Sequence, residues 1–276
     1  MHDTSKLSIG LTGGAGQVGR ALRKVLTPDL AHVRIIDIVE PTELAANESW
    51  HNVDIANLDA LTEACAGLDG IVHLAGYANE RPISDIVQVN VLGSYNVYEA
   101  ARRAGVGRVV LGSSNHAMGF YPRTATVGSY AEMRPDSLYG LSKCWAELVA
   151  GLYFDKSGIR SLVVRIGNAQ PQPTSPRSLL IWISPRDLAQ LVQIGLIHPD
   201  IDCNTVYGVS AGEGKWWDNS EATRLGYRPA DRIVDHAPPE AFVEPPVPMP
   251  HISNFFQGGS MTARDHDGEF RERPQR

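Results

Sequence analysis

The chain has 276 residues, of which 43% are apolar and 20% charged, enough to fill one large domain with a small appendage. Its net charge of −6 leaves no basic footprint for a nucleic acid. No apolar run reaches the roughly 18 to 20 residues that span a bilayer, and the N-terminus lacks the basic and apolar regions of a secretory leader.

In chain order, short β-branched runs alternate with amphipathic stretches. Strands are expected at residues 8–13, 33–38, 70–75, 108–113, 161–167 and 205–209, with a short one ending at Asp54-Ile55. Most are near-continuous apolar runs, as in parallel strands covered on both faces. Helices are expected at 17–26, 58–66, 83–104, 138–156 and 185–197. Ser184-Pro185 reads as an N-cap followed by proline at the first helical position, and Gly105 and Gly158 as helix stops. Such alternation predicts an α/β fold, a Rossmann-like doubly wound parallel sheet. One such domain is expected over 1–244, capped mainly by about 168–184 and 210–244. Residues 245–276 read as a Pro-rich extension, docked on the body or a neighbouring subunit with Phe255 and Phe256 as anchors.

The first strand runs into Thr12-Gly13-Gly14-Ala15-Gly16-Gln17-Val18-Gly19 at the start of the first helix. Small residues are required where a backbone turns tightly, approaches a pyrophosphate and seats a helix on a strand. The helix N-terminus then offers free N–H groups to the anion. Strand, loop and helix in this order turn a weak glycine pattern into a dinucleotide site. Asp37 ends the second strand, where a carboxylate meets the adenosine ribose hydroxyls and repels a 2′-phosphate, so NAD is expected over NADP. Arg34 does not share its face and is discounted as a phosphate clamp. Asp54 and Ile55 suit the adenine edge, and Leu74-Ala75-Gly76 puts small residues where the cofactor passes.

Tyr139 and Lys143 form Y-x-x-x-K, a spacing that sets both side chains on one helical face. A phenol with a pKa near 10 is a poor base at neutral pH, and a neighbouring ammonium favours the phenolate by direct attraction. The base can then take a hydroxyl proton while hydride leaves to the cofactor. Gly112-Ser113-Ser114-Asn115-His116 lies at the carboxyl end of its strand, where open α/β sheets hold ligands. A serine there can orient the reacting oxygen. Arg177 sits in the proline-stiffened segment 171–178, and its fork suits a carboxylate. The Trp216-Trp217 pair reads as packing.

With these residues in hand, the chain resembles the extended short-chain dehydrogenase/reductase superfamily over roughly residues 7–235. The resemblance rests on the glycine loop, Asp37, Asp54, Asn90, the Ser114/Tyr139/Lys143 set and Leu225-Gly226-Tyr227-x-Pro229. More narrowly it is similar to the uronate dehydrogenase family. That likeness is carried by segments 113–122, 139–144, 216–220 and 256–259, and by Arg165-Ile166-Gly167-Asn168.

The likeness implies oxidation of D-galacturonate or D-glucuronate at C1 to the aldarolactone, with NAD reduced. Tyr139 would be the base, Lys143 its electrostatic partner, and Ser114, Asn115, His116, Tyr139, Asn168 and Arg177 the contacts to the sugar acid. Gly13, Gly16, Gln17, Val18, Gly19, Asp37, Asp54, Ile55, Leu74, Ala75, Gly76, Asn90, Tyr139, Lys143 and Ile166 would bind the cofactor. Asn168 and Ala78 depart from the pattern, each standing where a small hydroxyl residue is expected.

Cys65, Cys144 and Cys203 are odd in number and far apart, forming neither a disulfide framework nor a metal knot. A reduced, cytoplasmic protein without a metal is therefore expected; a homo-oligomer with no nucleic-acid or membrane partner is expected as well. Two other readings compete. A sugar-nucleotide epimerase or dehydratase of the same fold would need a larger cap than this chain offers. A non-catalytic NAD-sensing regulator would have no need of Tyr139 as a base.

Overall fold

The computed structural model describes residues 4–213, 216–243, 251–271 and 273. Seven strands form one fully parallel sheet in the order β3-β2-β1-β4-β5-β7-β8. They are β1 (Ser8–Thr12), β2 (His32–Asp37), β3 (Glu48–Asn52), β4 (Gly70–His73), β5 (Arg108–Ser114), β7 (Arg160–Ile166) and β8 (Cys203–Gly208). Both faces are covered, so β1, β4 and β5 are buried almost end to end, as their unbroken apolar runs require.

One face carries α1 (Gln17–Leu26) and α7 (Pro185–Ile197) over Ile9, Leu11, Ile35, Val110 and Val164. The other carries α2 (Leu58–Cys65), α4 (Leu92–Ala104) and α5 (Leu138–Ser157) over Ile36, Ile71, Val109 and Leu111. Several local signals act as their chemistry demands. Ser184 Oγ accepts from Asp187 N at 3.0 Å ahead of Pro185. Gly105 and Gly158 end α4 and α5 in the left-handed conformation, at φ 74° and 67°.

The strand order reverses beside β1 and β4, which opens a crevice at the carboxyl ends of the strands. Above it lies a third apolar cluster containing Met118, Ile181, Tyr207, Trp216 and Trp217. The short strands β6 (Val127–Gly128) and β9 (Trp217–Asp218) pair there, with α6 (Ser178–Ile181) and α8 (Ser220–Arg224) nearby in sequence. Trp217 stacks on Tyr207 with ring centroids 4.7 Å apart, so the tryptophan pair is packing, as expected.

Two expectations change. The helix over 83–104 is not uniform: α3 (Ile83–Asp85) passes through a π-helical turn at Ile86–Val91 before α4 begins. An apolar periodicity that simply continues does not reveal one extra residue in a turn. The C-terminal segment contains α9 (His251–Phe255) and α10 (Ser260–Ala263) and docks on the body of its own chain. Phe256 is the buried anchor, edge-on to Phe120, whereas Phe255 is 41% exposed. The prolines at 245, 246, 248 and 250 lie outside the described residues.

Candidate active site

The crevice is a cleft of about 380 Å³ lined from several elements at once. Gly13, Gly16, Gln17, Val18 and Gly19 form one wall, and Leu74, Gly76, Tyr77 and Ala78 follow β4. Ser114, Asn115 and His116 follow β5, Tyr139 and Lys143 come from α5, and Ile166, Asn168, Gln170 and Arg177 follow β7.

The glycine wall is built for close approach. Gly13 sits at φ +73°, and a Cβ there would lie 2.6 Å from Ala75 N; at Gly19 a Cβ would lie 2.3 Å from Gly13 O. No side chain caps α1, so the N–H groups of its first turn remain for a ligand. Asp37 accepts from Ala15 N at 3.0 Å and Val39 N at 3.0 Å, which sets its carboxylate against this loop. Arg34 turns away and donates to Ala64 O and Ala66 O.

Four residues expected at the cofactor, Asn90, Asp54, Ile55 and Ala75, are not among those lining this cleft. Asn90 leaves the π turn to bind Tyr77 through both backbone groups, at 2.8 and 3.0 Å, and donates to Ser142 Oγ at 3.0 Å. Ser142 in turn donates to Tyr139 O, so Asn90 ties the β4 loop to α5. Asp54 is exposed and closes a local turn on Ala56 N. Ile55 is buried beneath Gly93, where it packs the second core cluster. Ala75 N donates to the Thr12 hydroxyl oxygen, 3.4 Å away.

Ser137 caps α5 by accepting from Gly140 N at 2.9 Å. Its first two turns deliver Tyr139 and Lys143 to the cleft. Burial pushes the Tyr139 phenol up to about 12; a hydrogen bond from Ser114 opposes that shift and the Asp136 charge reinforces it. Lys143 donates to Gly112 O at 2.8 Å, and its ammonium lies 5.8 Å from the Tyr139 ring centroid. Burial lowers it to about 8, with Glu147 opposing. Ser114 accepts from His116 N at 3.2 Å.

Across the cleft, Arg177 donates through Nε to Gln257 O at 2.9 Å. With the Asn115 amide turned so that both of its ends are satisfied, Arg177 Nη2 donates to the amide oxygen at 2.9 Å and the amide nitrogen donates to Ile166 O at 3.3 Å. Burial lowers this guanidinium to about 10, against the favourable charge of Asp136. Asn168 is fixed by a bridge to Trp182 and accepts from Gln170 N through its side chain.

Sequence reasoning missed several partners. Glu80 accepts from Leu138 N and Tyr139 N, both at 3.1 Å, placing a carboxylate at the start of α5. Asp136 accepts from His116 Nδ1 at 2.7 Å and Ser137 Oγ at 2.8 Å. Glu147 holds Arg165 and accepts from Ser113 Oγ beneath the site. Gln17 donates to Gln170 at 2.8 Å across the cleft mouth. Only Ser137, a serine just ahead of an apolar helix, had a recognisable local signal.

A doubly wound parallel sheet, an uncapped glycine turn and a buried tyrosine–lysine pair on one cleft define the class: a dinucleotide-dependent oxidoreductase. Residues 9–180 match the NAD dependent epimerase/dehydratase family. A uronate dehydrogenase of Pseudomonas syringae pv. tomato is 38% identical over 266 residues, covering 94% of either chain. The crystal structure of uronate dehydrogenase from Agrobacterium tumefaciens superposes with a TM-score of 0.84 at 38% identity, over 95% of this chain and 98% of that one. A Tyr-to-Ala mutant of it complexed with NAD matches equally, at 37% identity over 97% and 100%. The chain belongs to the NAD dependent epimerase/dehydratase family, within its uronate dehydrogenase group.

Proposed function

We propose that this protein oxidises D-galacturonate or D-glucuronate at C1 to the aldarolactone, with NAD as the hydride acceptor. The observation that carries the reading is Arg177, a guanidinium that lines the same cleft as the Tyr139/Lys143/Ser114 set. An arginine fork holds a carboxylate by parallel charge-assisted hydrogen bonds.

The residues present fit the cofactor. Gly13 and Gly19 leave room for a pyrophosphate against α1, and Asp37 supplies acceptors for ribose hydroxyls while repelling a 2′-phosphate. When bound, NAD supplies the hydride acceptor and, in its oxidised ring, a positive charge that favours the Tyr139 phenolate. Tyr139 takes the proton of the C1 hydroxyl, Ser114 orients that oxygen, and Lys143 stabilises the phenolate from the same helix face. Arg177, Asn115 and His116 hold the rest of the sugar acid. Asn168 and Ala78, both lining the cleft, alter which hydroxyls are read.

The segments at 168–184 and 210–244 serve as the substrate cap. Mixing the purified chain with NAD and following NADH absorbance tests the whole reading: D-galacturonate or D-glucuronate should turn over. Turnover of neither acid, or of a sugar nucleotide instead, overturns it.

The assembly is a homo-oligomer built on α5. Leu141, Trp145, Leu148 and Leu152 recur on one stripe of that helix and are 54%, 43%, 64% and 47% exposed. An apolar stripe of this size marks a protein contact, and a second copy supplies the matching face. Leu148→Glu should lower the mass seen by light scattering to that of the monomer; an unchanged mass places the contact elsewhere. The compartment is cytoplasmic, in keeping with three free thiols.

A further inference from the structure

The C-terminal segment does more than cover the body. Gln257 is 2% exposed, and its side chain accepts from Trp217 Nε1 at 3.0 Å while donating to Pro122 O and Ala125 O. Its backbone N–H donates to Tyr121 O, and Gly258 N donates to Gly119 O, both at 2.9 Å. These bonds nail down a stretch whose Gln257 carbonyl receives Arg177 Nε at 2.9 Å.

The two glycines that follow are required by contact. A Cβ on Gly258 would lie 2.0 Å from Asp136 Oδ2, the oxygen that holds His116. Gly259 has φ +66°, and a Cβ there would lie 2.8 Å from both Cδ and Nε of Arg177. A side chain is therefore excluded at Gly259 by backbone conformation as well as by contact. The tail thus backs two cleft-lining side chains from behind: Arg177 directly and His116 through Asp136.

Arg177 has five N–H donors, and Nε and one Nη2 hydrogen are spent on Gln257 and Asn115. The two contacts fix the plane of the guanidinium, and a planar fork recognises a carboxylate only in that plane. We propose that Gln257-Gly258-Gly259 is a positioning element for acid recognition, which orients the Arg177 fork toward the substrate carboxylate. None of the three residues lines the cleft. The element rests on the reading of Arg177 as the carboxylate clamp.

The test is steady-state kinetics of Gly259→Ala with D-galacturonate and NAD, beside calorimetric NAD binding and a melting curve. KM for the acid should rise about tenfold or more with kcat changed far less, the pattern of lost uniform binding. NAD affinity should stay at the wild-type value. In an Arg177→Ala background the Gly259→Ala penalty should disappear, because the two act as one unit; additive penalties would overturn the proposal. Should Gly259→Ala fail to fold, Gln257→Ala removes three tail anchors and should raise KM in the same direction. Acid turnover by the wild type with KM unchanged in the variants overturns the positioning element alone. Absence of acid turnover from the wild type overturns the clamp reading and this element with it.

Discussion

The fully buried carboxylate of Asp136 lies 2.7 Å from Nδ1 of His116, which lines the cleft with its ring centroid 5.9 Å from that of Tyr139. The carboxylate favours the tautomer with its proton on Nδ1, and on the proposed reading this holds the ring for its contact with the sugar acid. In Asp136→Asn that preference is lost along with a charge-assisted bond worth on the order of 1.5–3 kcal/mol. kcat/KM for a uronate should fall roughly ten- to a hundredfold while NAD affinity holds. Unchanged kcat/KM would show that the orientation of His116 is irrelevant to the substrate.

His73 sets a dependence of stability on pH. It is 3% exposed at the end of β4 and shares a 2.7 Å hydrogen bond with the Thr12 hydroxyl. Burial lowers its pKa to about 3, and the charge of Lys143 adds to the shift. The folded chain therefore binds this proton less readily than the unfolded chain, whose imidazole titrates near 6.5. The stabilisation is complete above about 6.5 and is lost as pH falls toward 3, at up to about 1.4 kcal/mol per pH unit. Urea melts at pH 7 and pH 5 should show this slope in the wild type and a shallower one in His73→Asn. Identical slopes would place the acid sensitivity elsewhere.

Burial moves the titrations of Tyr139 and Lys143 toward different ends, holding the phenol near 12 and the ammonium near 8. The phenolate–ammonium pair is a minor state of the free protein, and added positive charge favours it. Tyr139→Phe should lower kcat by about 10²- to 10⁴-fold, the usual worth of a positioned general base, with NAD still bound. Retention of most activity would assign the proton to another group.

What could be read in advance was local in the chain. Gly13 to Gly19, Asp37 and the Tyr139/Lys143 pair announce themselves through spacings of a few residues, because one turn of helix or one strand end sets their geometry. The sheet was legible for the same reason: β1, β4 and β5 are buried on both faces and carry unbroken apolar runs. Contacts that join distant segments left no such pattern. Glu80 reaches Tyr139 N across 59 positions, and Arg177 reaches Gln257 across 80. The cleft brings them together, so neither could be assigned from composition or period. The π turn at Asn90 escaped because one extra residue leaves the hydrophobic rhythm on either side intact.

Arg177 offers the most direct measurement. The ratio of kcat/KM for D-galacturonate to that for neutral D-galactose should be compared between the wild type and Arg177→Ala, with NAD saturating. Removing one partner of a buried, hydrogen-bonded charge pair costs about 2–5 kcal/mol, so the ratio should collapse by roughly thirtyfold or more through loss of the acid alone. An equal fall for both sugars, or an undiminished preference for the acid, would contradict the assignment of Arg177 as the carboxylate clamp and with it the uronate reading.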